Sequence, residues 1–163
     1  MNQHEQETFY SGKKKDHTIK NYLIIDSFCR IVYLSDSVEG KMNDKKLADQ
    51  NKVDVPDGSC LMQDSGFPSF SLPNCEMLQP FKRPRGGKLS PYQKSFNRIV
   101  STSRVYIEHA IGSTKRFRSV HDVCRMRIEG IEDDLIRICA GLHNFIVRLN
   151  PWKPMPGSCC LTC

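Results

Sequence analysis

The chain has 163 residues, 39% hydrophobic and 26% charged, with a net charge of +6. That length suits one ordinary domain, and the balance argues against a disordered tail; no apolar run approaches the ~18 residues of a membrane-spanning helix. Met1 to Glu7 is polar and acidic, unlike a signal peptide, and eight cysteines without paired spacing read as reduced, intracellular thiols.

Taken in chain order, residues 18–26 are β-branched and aromatic-rich and predict a strand, and residues 31–37 predict a second. The connection over 27–30 is short enough for a hairpin. Residues 43–50 predict a short helix capped by Asn43. Pro56-Asp57-Gly58 marks a turn. Cys60-Leu61-Met62-Gln63 then reads as a short apolar strand that delivers Asp64 at its end, before Ser65-Gly66. The proline- and glycine-rich stretch 68–87 is expected to be loop. Ser90-Pro91-Tyr92-Gln93 combines a capping Ser, a Pro at the first helical position and a Gln three residues after the cap. A long helix follows, with Phe96, Ile99, Val100, Ser103, Ile107, Ala110, Ile111 and Thr114 at helical spacing to about Phe117. The last helix is expected from about Asp133, with Leu135, Ile138, Cys139, Leu142, Phe145, Ile146 and Leu149 on its apolar face. It should end at Asn150-Pro151.

Charge is unevenly distributed. Residues 1–76 carry nine basic and twelve acidic groups, residues 77–121 carry ten and one, and residues 122–163 carry five of each. The whole positive excess therefore lies in one block whose sole carboxylate is Glu108. Such a block suits a phosphate-contacting surface, and equally a solvated basic helix. Two carboxylates stand out by placement. Asp64 ends an apolar strand beside Gly66, where backbone can approach a ligand closely; Glu108 lies mid-helix beside the buried-face position Ile107. Carboxylates are the oxygen ligands that Mg²⁺ and Mn²⁺ prefer, and a pair of such ions can clamp a phosphodiester. From spacing alone, a plain reading competes: Asp64 opens a turn while Glu108 pairs with Arg104 or Lys115.

A multi-part motif bears on that choice. Residues 10–20, Tyr-Ser-Gly-Lys-Lys-Lys-Asp-His-Thr-Ile-Lys, resemble the YSGKKKxHTxK signature of insertion-sequence transposases of the DDE endonuclease superfamily, to which Harbinger-like enzymes also belong. Further matches follow in order: Asp44-Lys45, Asp64-Ser65-Gly66-Phe67, the run Lys82-Arg83-Pro84-Arg85-Gly86-Gly87, Phe96-Asn97-Arg98, Glu108-His109-Ala110-Ile111-Gly112, Lys115-Arg116-Phe117-Arg118, and Ala140-Gly141-Leu142-His143-Asn144. The resemblance implies an α/β, RNase H-like catalytic core in which three acidic residues bind Mg²⁺ or Mn²⁺ and cut and join DNA. It assigns Asp64 as the second catalytic Asp and Glu108 as the catalytic Glu, both metal ligands. Lys82, Arg83, Arg85, Lys88, Arg98, Arg104, Lys115, Arg116 and Arg118 are the expected DNA contacts. Asp44 accompanies such a site without completing it.

The resemblance also implies a first catalytic Asp on a strand upstream of Tyr10. The nine residues present there contain no apolar strand ending in Asp. The core is thus expected to be truncated, lacking its first, central strand and leaving the strands at 18–26 and 60–64 without a shared neighbour. On this reading residues 1–9 are an unassigned stub, 10–149 a partial catalytic domain and 150–163 a disordered cysteine-rich tail. Cys160 and Cys163 have zinc-knuckle spacing without a second pair, and the outline of a prenylation box without a basic cluster; a frameshifted or read-through end is the preferred account. The expected function is transposon DNA cleavage and strand transfer, with this chain inactive by itself. The alternative is a non-catalytic remnant that binds DNA or associates with a full-length transposase. The implied location is the bacterial cytoplasm at the nucleoid, or the nucleus in a eukaryote.

Overall fold

The computed structural model describes residues 10–11, 16–17, 19–51, 53–63, 70–121, 130–155 and 160–162. In chain order these form β1 (Tyr10–Ser11), β2 (Asp16–His17), β3 (Ile19–Lys20), β4 (Leu23–Ile25), β5 (Ile31–Leu34), β6 (Val38–Glu39), α1 (Asp44–Gln50), β7 (Ser59–Met62) and β8 (Cys75–Leu78). After these come α2 (Pro91–Lys115), α3 (Arg118–His121), α4 (Ile131–Leu149) and β9 (Cys160–Thr162). β1 pairs with β2 and β3 with β6, each as a small antiparallel ladder. The main sheet has five strands in the order β5-β4-β9-β7-β8.

The hairpin expected at the start is present, and its turn is built by one side chain. Asp26 Oδ1 accepts from the backbone N–H groups of Phe28 and Arg30, both at 2.9 Å. This folds the chain back with Cys29 at φ 66°. The continuous strand expected over 18–26 is broken into β3 and β4, because side chains replace the ladder at the join. Asn21 donates to Ser35 O and Ser37 Oγ, and Tyr22 N donates to Ser35 Oγ. The short helix begins where expected, with Asn43 Oδ1 accepting from Lys45 N at 2.9 Å. Gly58, at φ +79°, completes the turn before β7. α2 carries the anticipated capping box between Ser90 and Gln93.

Alternation in β4 distributes the core over two sheet faces. Tyr22 and Ile24 point to one side, where they pack with Leu47 and Ala48 of α1, Leu61, Phe70 and Leu72. Ile25 points to the other side and joins Cys29, Ile31, Ala110 of α2, Ala140 of α4 and Met155. Helices therefore cover both faces of the sheet, the layering of an α/β domain.

Three features depart from the sequence reading. β8 lies within the stretch 68–87 expected to be loop; Cys-Glu-Met-Leu has little strand character of its own and is ordered by parallel pairing with β7, from Ser59↔Cys75 to Met62↔Leu78. Second, the chain beyond Pro151 is docked. Trp152 packs on Tyr106 and His109, Met155 is buried, and Met155 N donates to Ser27 O at 2.8 Å. Its last described residues, in the stretch expected to be disordered, form β9. That strand runs parallel to β7 (Cys60↔Cys160, Leu61↔Leu161, Met62↔Thr162) and antiparallel to β4 (Ile25↔Thr162). β4 and β7, expected to lack a shared neighbour, therefore have one. Third, α4 buries Cys139, Ala140, His143 and Val147 and leaves most of the expected apolar face outside.

Candidate functional site

The basic block forms a loop and a helix held together by a two-point clamp. Asn97 of α2 accepts from Phe81 N at 2.8 Å and donates to Phe81 O at 3.0 Å. The Phe81 ring meets Phe96 and Tyr92 edge-on, with centroids 5.3 Å and 6.5 Å away. The loop that follows turns tightly: Gly87 N donates to Pro84 O, and Gly86 sits at φ +76°, where a β-carbon is disfavoured. A Cβ on Gly87 would come within 2.8 Å of the Pro84 ring. Arg83 Nε donates to Gly87 O at 2.8 Å, which ties off the loop. Lys82, Arg83, Arg85 and Lys88 are exposed on it, and Arg98, Arg104 and Lys115 on α2; Arg116 and Arg118 are exposed just beyond. All nine expected DNA contacts thus face solvent, with seven concentrated on one loop and one helix.

Glu108 lies on the same helix. Its neighbours in sequence hold the helix down: Tyr106 Oη donates to Lys153 O, and the His109 ring packs against Trp152 at a 60° tilt with centroids 4.7 Å apart. Ile107 packs into the core that contains Ile25 and Ala110. Glu108 itself is exposed and makes no ion pair among the described residues, so the pairing with Arg104 or Lys115 does not form. An exposed, uncommitted carboxylate on a rigid helix suits an oxygen ligand for a hard divalent ion. Among the described residues, no three His, Cys, Asp or Glu side chains converge on one point.

Asp64 lies outside the described residues. The strand leading to it is described up to Gln63, the residue immediately before. Gln63 is buried; its backbone N–H donates to Leu78 O, its Nε2 donates to Phe70 O, and its Oε1 has no partner. β7, an interior strand parallel to both its neighbours, thus ends at Met62 on the carboxyl edge of that parallel set, the edge at which open α/β sheets place their ligands.

Other motif residues serve the scaffold. Lys20 Nζ donates to Met42 O at 2.7 Å and pairs with Asp44 at 2.9 Å, so Asp44 is committed to joining β3 and α1. His143 Nε2 lies 2.7 Å from Cys29 O; a carbonyl can only accept, so this nitrogen carries the proton and the buried Nδ1 has no partner. Asn144 clamps Ile31 through both backbone groups, each at 2.8 Å. Both side chains fasten α4 to the β4–β5 hairpin. Sequence reasoning had no pattern from which to read these clamps, because an Asn that grips a distant peptide has no local signature.

The arrangement is that of an α/β domain with a cationic loop and helix arrayed near an uncommitted carboxylate, as in proteins that work on polyanions. The description of DDE superfamily endonucleases matches residues 1–144, and the chain belongs to that family. It is similar to the "Probable transposase for insertion sequence element IS702" of Microchaete diplosiphon, at 27% identity over 146 residues, which is 88% of this chain and 52% of that protein. The chain spans about half the length of this curated relative. No solved structure matches. Among the described residues, no helix is long and apolar enough to cross a membrane.

Proposed function

We propose that this chain is a portion of an RNase H-like transposase core that acts on transposon DNA, with Asp64 and Glu108 as ligands for Mg²⁺ or Mn²⁺. The observation that carries the reading is the placement on α2 of the sole carboxylate of the basic block, exposed and without an ion pair, among exposed arginines and lysines. The sheet order lends support, since the β4–β5 hairpin lies on one side of a middle strand and β7 on the other. A divalent ion, when bound, polarises the phosphodiester and stabilises charge on its oxygens. This chain's own part is to supply the Glu108 and Asp64 oxygens and to grip the phosphate backbone. The loop cations Lys82, Arg83, Arg85 and Lys88 and the helix cations Arg98, Arg104, Lys115, Arg116 and Arg118 provide that grip.

Asp64 and Glu108 are two of the three carboxylates that the family resemblance implies, and on this reading these two alone support DNA binding without strand transfer. A cleavage assay with Mg²⁺ or Mn²⁺ on DNA carrying transposon ends tests both parts. DNA binding without cutting is expected. Robust cutting that is lost in Asp64→Ala or Glu108→Ala would refute the proposed inactivity and support the ligand assignment; no DNA binding at low salt would refute the reading altogether. The second reading, a non-catalytic module that binds DNA or joins a full-length transposase, rests on the same basic surface. It predicts binding that is indifferent to Glu108→Gln and to divalent ions.

A further inference from the structure

α4 buries its small side chains and exposes its large ones. Cys139, Ala140, His143 and Val147 face the hairpin and α2, whereas Ile138, Leu142, Phe145, Ile146 and Leu149 stand between 41% and 63% exposed. These five recur at helical spacing and form one continuous stripe two turns beyond the start of the helix and down to its end. At roughly 160–200 Å² per whole residue, the stripe offers on the order of 450 Å² of apolar surface, within the ~300–600 Å² range of a monomer's largest patch, which is often a functional one.

We propose that this stripe is the contact between two copies of the chain, with their α4 helices packed antiparallel about a two-fold axis near Gly141 and Leu142. Three observations select a second copy. Gly141 lies on the flank of the stripe with nothing within 4 Å of where its β-carbon would be, a notch that lets two helices approach closely. A mid-helix Gly otherwise costs about 1 kcal/mol relative to Ala. The charges on that same flank are self-complementary. Asp134 lies seven residues before Gly141 and Arg148 seven after; both are exposed. A two-fold axis at Gly141 sets Asp134 of each copy against Arg148 of the other, while Leu142 meets its own equivalent and Ile138 meets Phe145. Arg148 makes no ion pair among the described residues, and Asp134 makes one, a 3.7 Å contact to Arg137 on its own helix that leaves the carboxylate 68% exposed and open to Arg148 of the second copy. The pair of stripes would bury about 900 Å², and the flanking residues bring the total toward the ~1,200 Å² at which specific interfaces begin.

The test is sedimentation of the full chain at tens of micromolar, with helicity followed by circular dichroism. A dimer is expected, and Leu142→Arg should convert it to a monomer with helical dichroism retained, because the position is exposed. Asp134→Arg and Arg148→Asp should each weaken dimerisation several-fold, and the double exchange should restore it. A monomeric native chain, or a dimer indifferent to Leu142→Arg, would overturn the proposal. A double exchange as weak as the single changes would also overturn it, by removing the antiparallel register. Should Leu142→Arg lose helicity, the charge exchange still decides, since both charges lie on exposed positions in the end turns of the helix.

Discussion

The place of β9 makes a quantitative claim about stability. It fills the centre of the sheet with three residues, paired at three positions to β7 and at one to β4. Both neighbours are core strands: Ile24, Ile25, Leu61 and Met62 are buried. Ending the chain at Gly157 would strip a ladder partner from each and leave two facing edges away from water. A buried backbone group left unpaired costs about 1–3 kcal/mol. With two or three such groups left unpaired, the loss comes to about 2–9 kcal/mol, against the ~5–15 kcal/mol that holds a domain together. Urea denaturation followed by far-ultraviolet dichroism should show a large fall in midpoint for the shortened chain. Leu161→Pro in the full chain should act in the same direction, since Pro removes a donor from a central strand. Helical signal should persist in both, because α2 keeps its capping box and α2 and α4 keep their mutual packing. A peptide of residues 157–163 added in trans should recover part of the loss. Unchanged midpoints for both variants would refute the argument and show that β4 and β7 do not depend on a strand between them.

Asn144→Ala removes both partners of the buried Ile31 backbone and should cost about 2–4 kcal/mol, read as a fall in the urea midpoint. Asn97→Ala at the exposed clamp should leave that midpoint nearly unchanged but weaken DNA binding, because it frees the cationic loop; equal loss of stability would contradict a role in loop placement. Changing Lys82, Arg83, Arg85 and Lys88 together to Ala should reduce the salt slope of DNA binding by about 3–4, at ~0.9 per phosphate contact; an unchanged slope would move the interface elsewhere. Burial, and then the nearby Asp26 charge, push the Cys29 thiol up to about 11 from an ordinary 9.0. The native state thus holds this proton more tightly than the unfolded chain, so stability should decline as pH rises through this range, and native Cys29 should resist maleimide at pH 8 until the chain unfolds.

How much of this was legible in the sequence follows from how local each cause is. Asn43 and the Ser90–Gln93 box act within one turn of helix, and both caps form where the residues predict them. The β4–β5 hairpin was equally plain, for Asp26 closes its own turn. β8 and β9 depend on partners remote in sequence: Cys75–Leu78 is a strand because β7 lies beside it, and Cys160–Thr162 because β4 and β7 leave room between them. No window of a few residues carries that information. α4 shows a third kind of limit. Its pattern announces a helix correctly, but large apolar residues on one face and small ones on the other give two candidate inward faces. Close approach to the hairpin selects the small side, where Ala140 can reach Ile25 and Ile31, and the bonds of His143 to Cys29 O and Asn144 to Ile31 hold that choice. Polar anchors, rather than hydrophobicity, thus set the rotation of the helix, and the same choice places the apolar stripe on the outside.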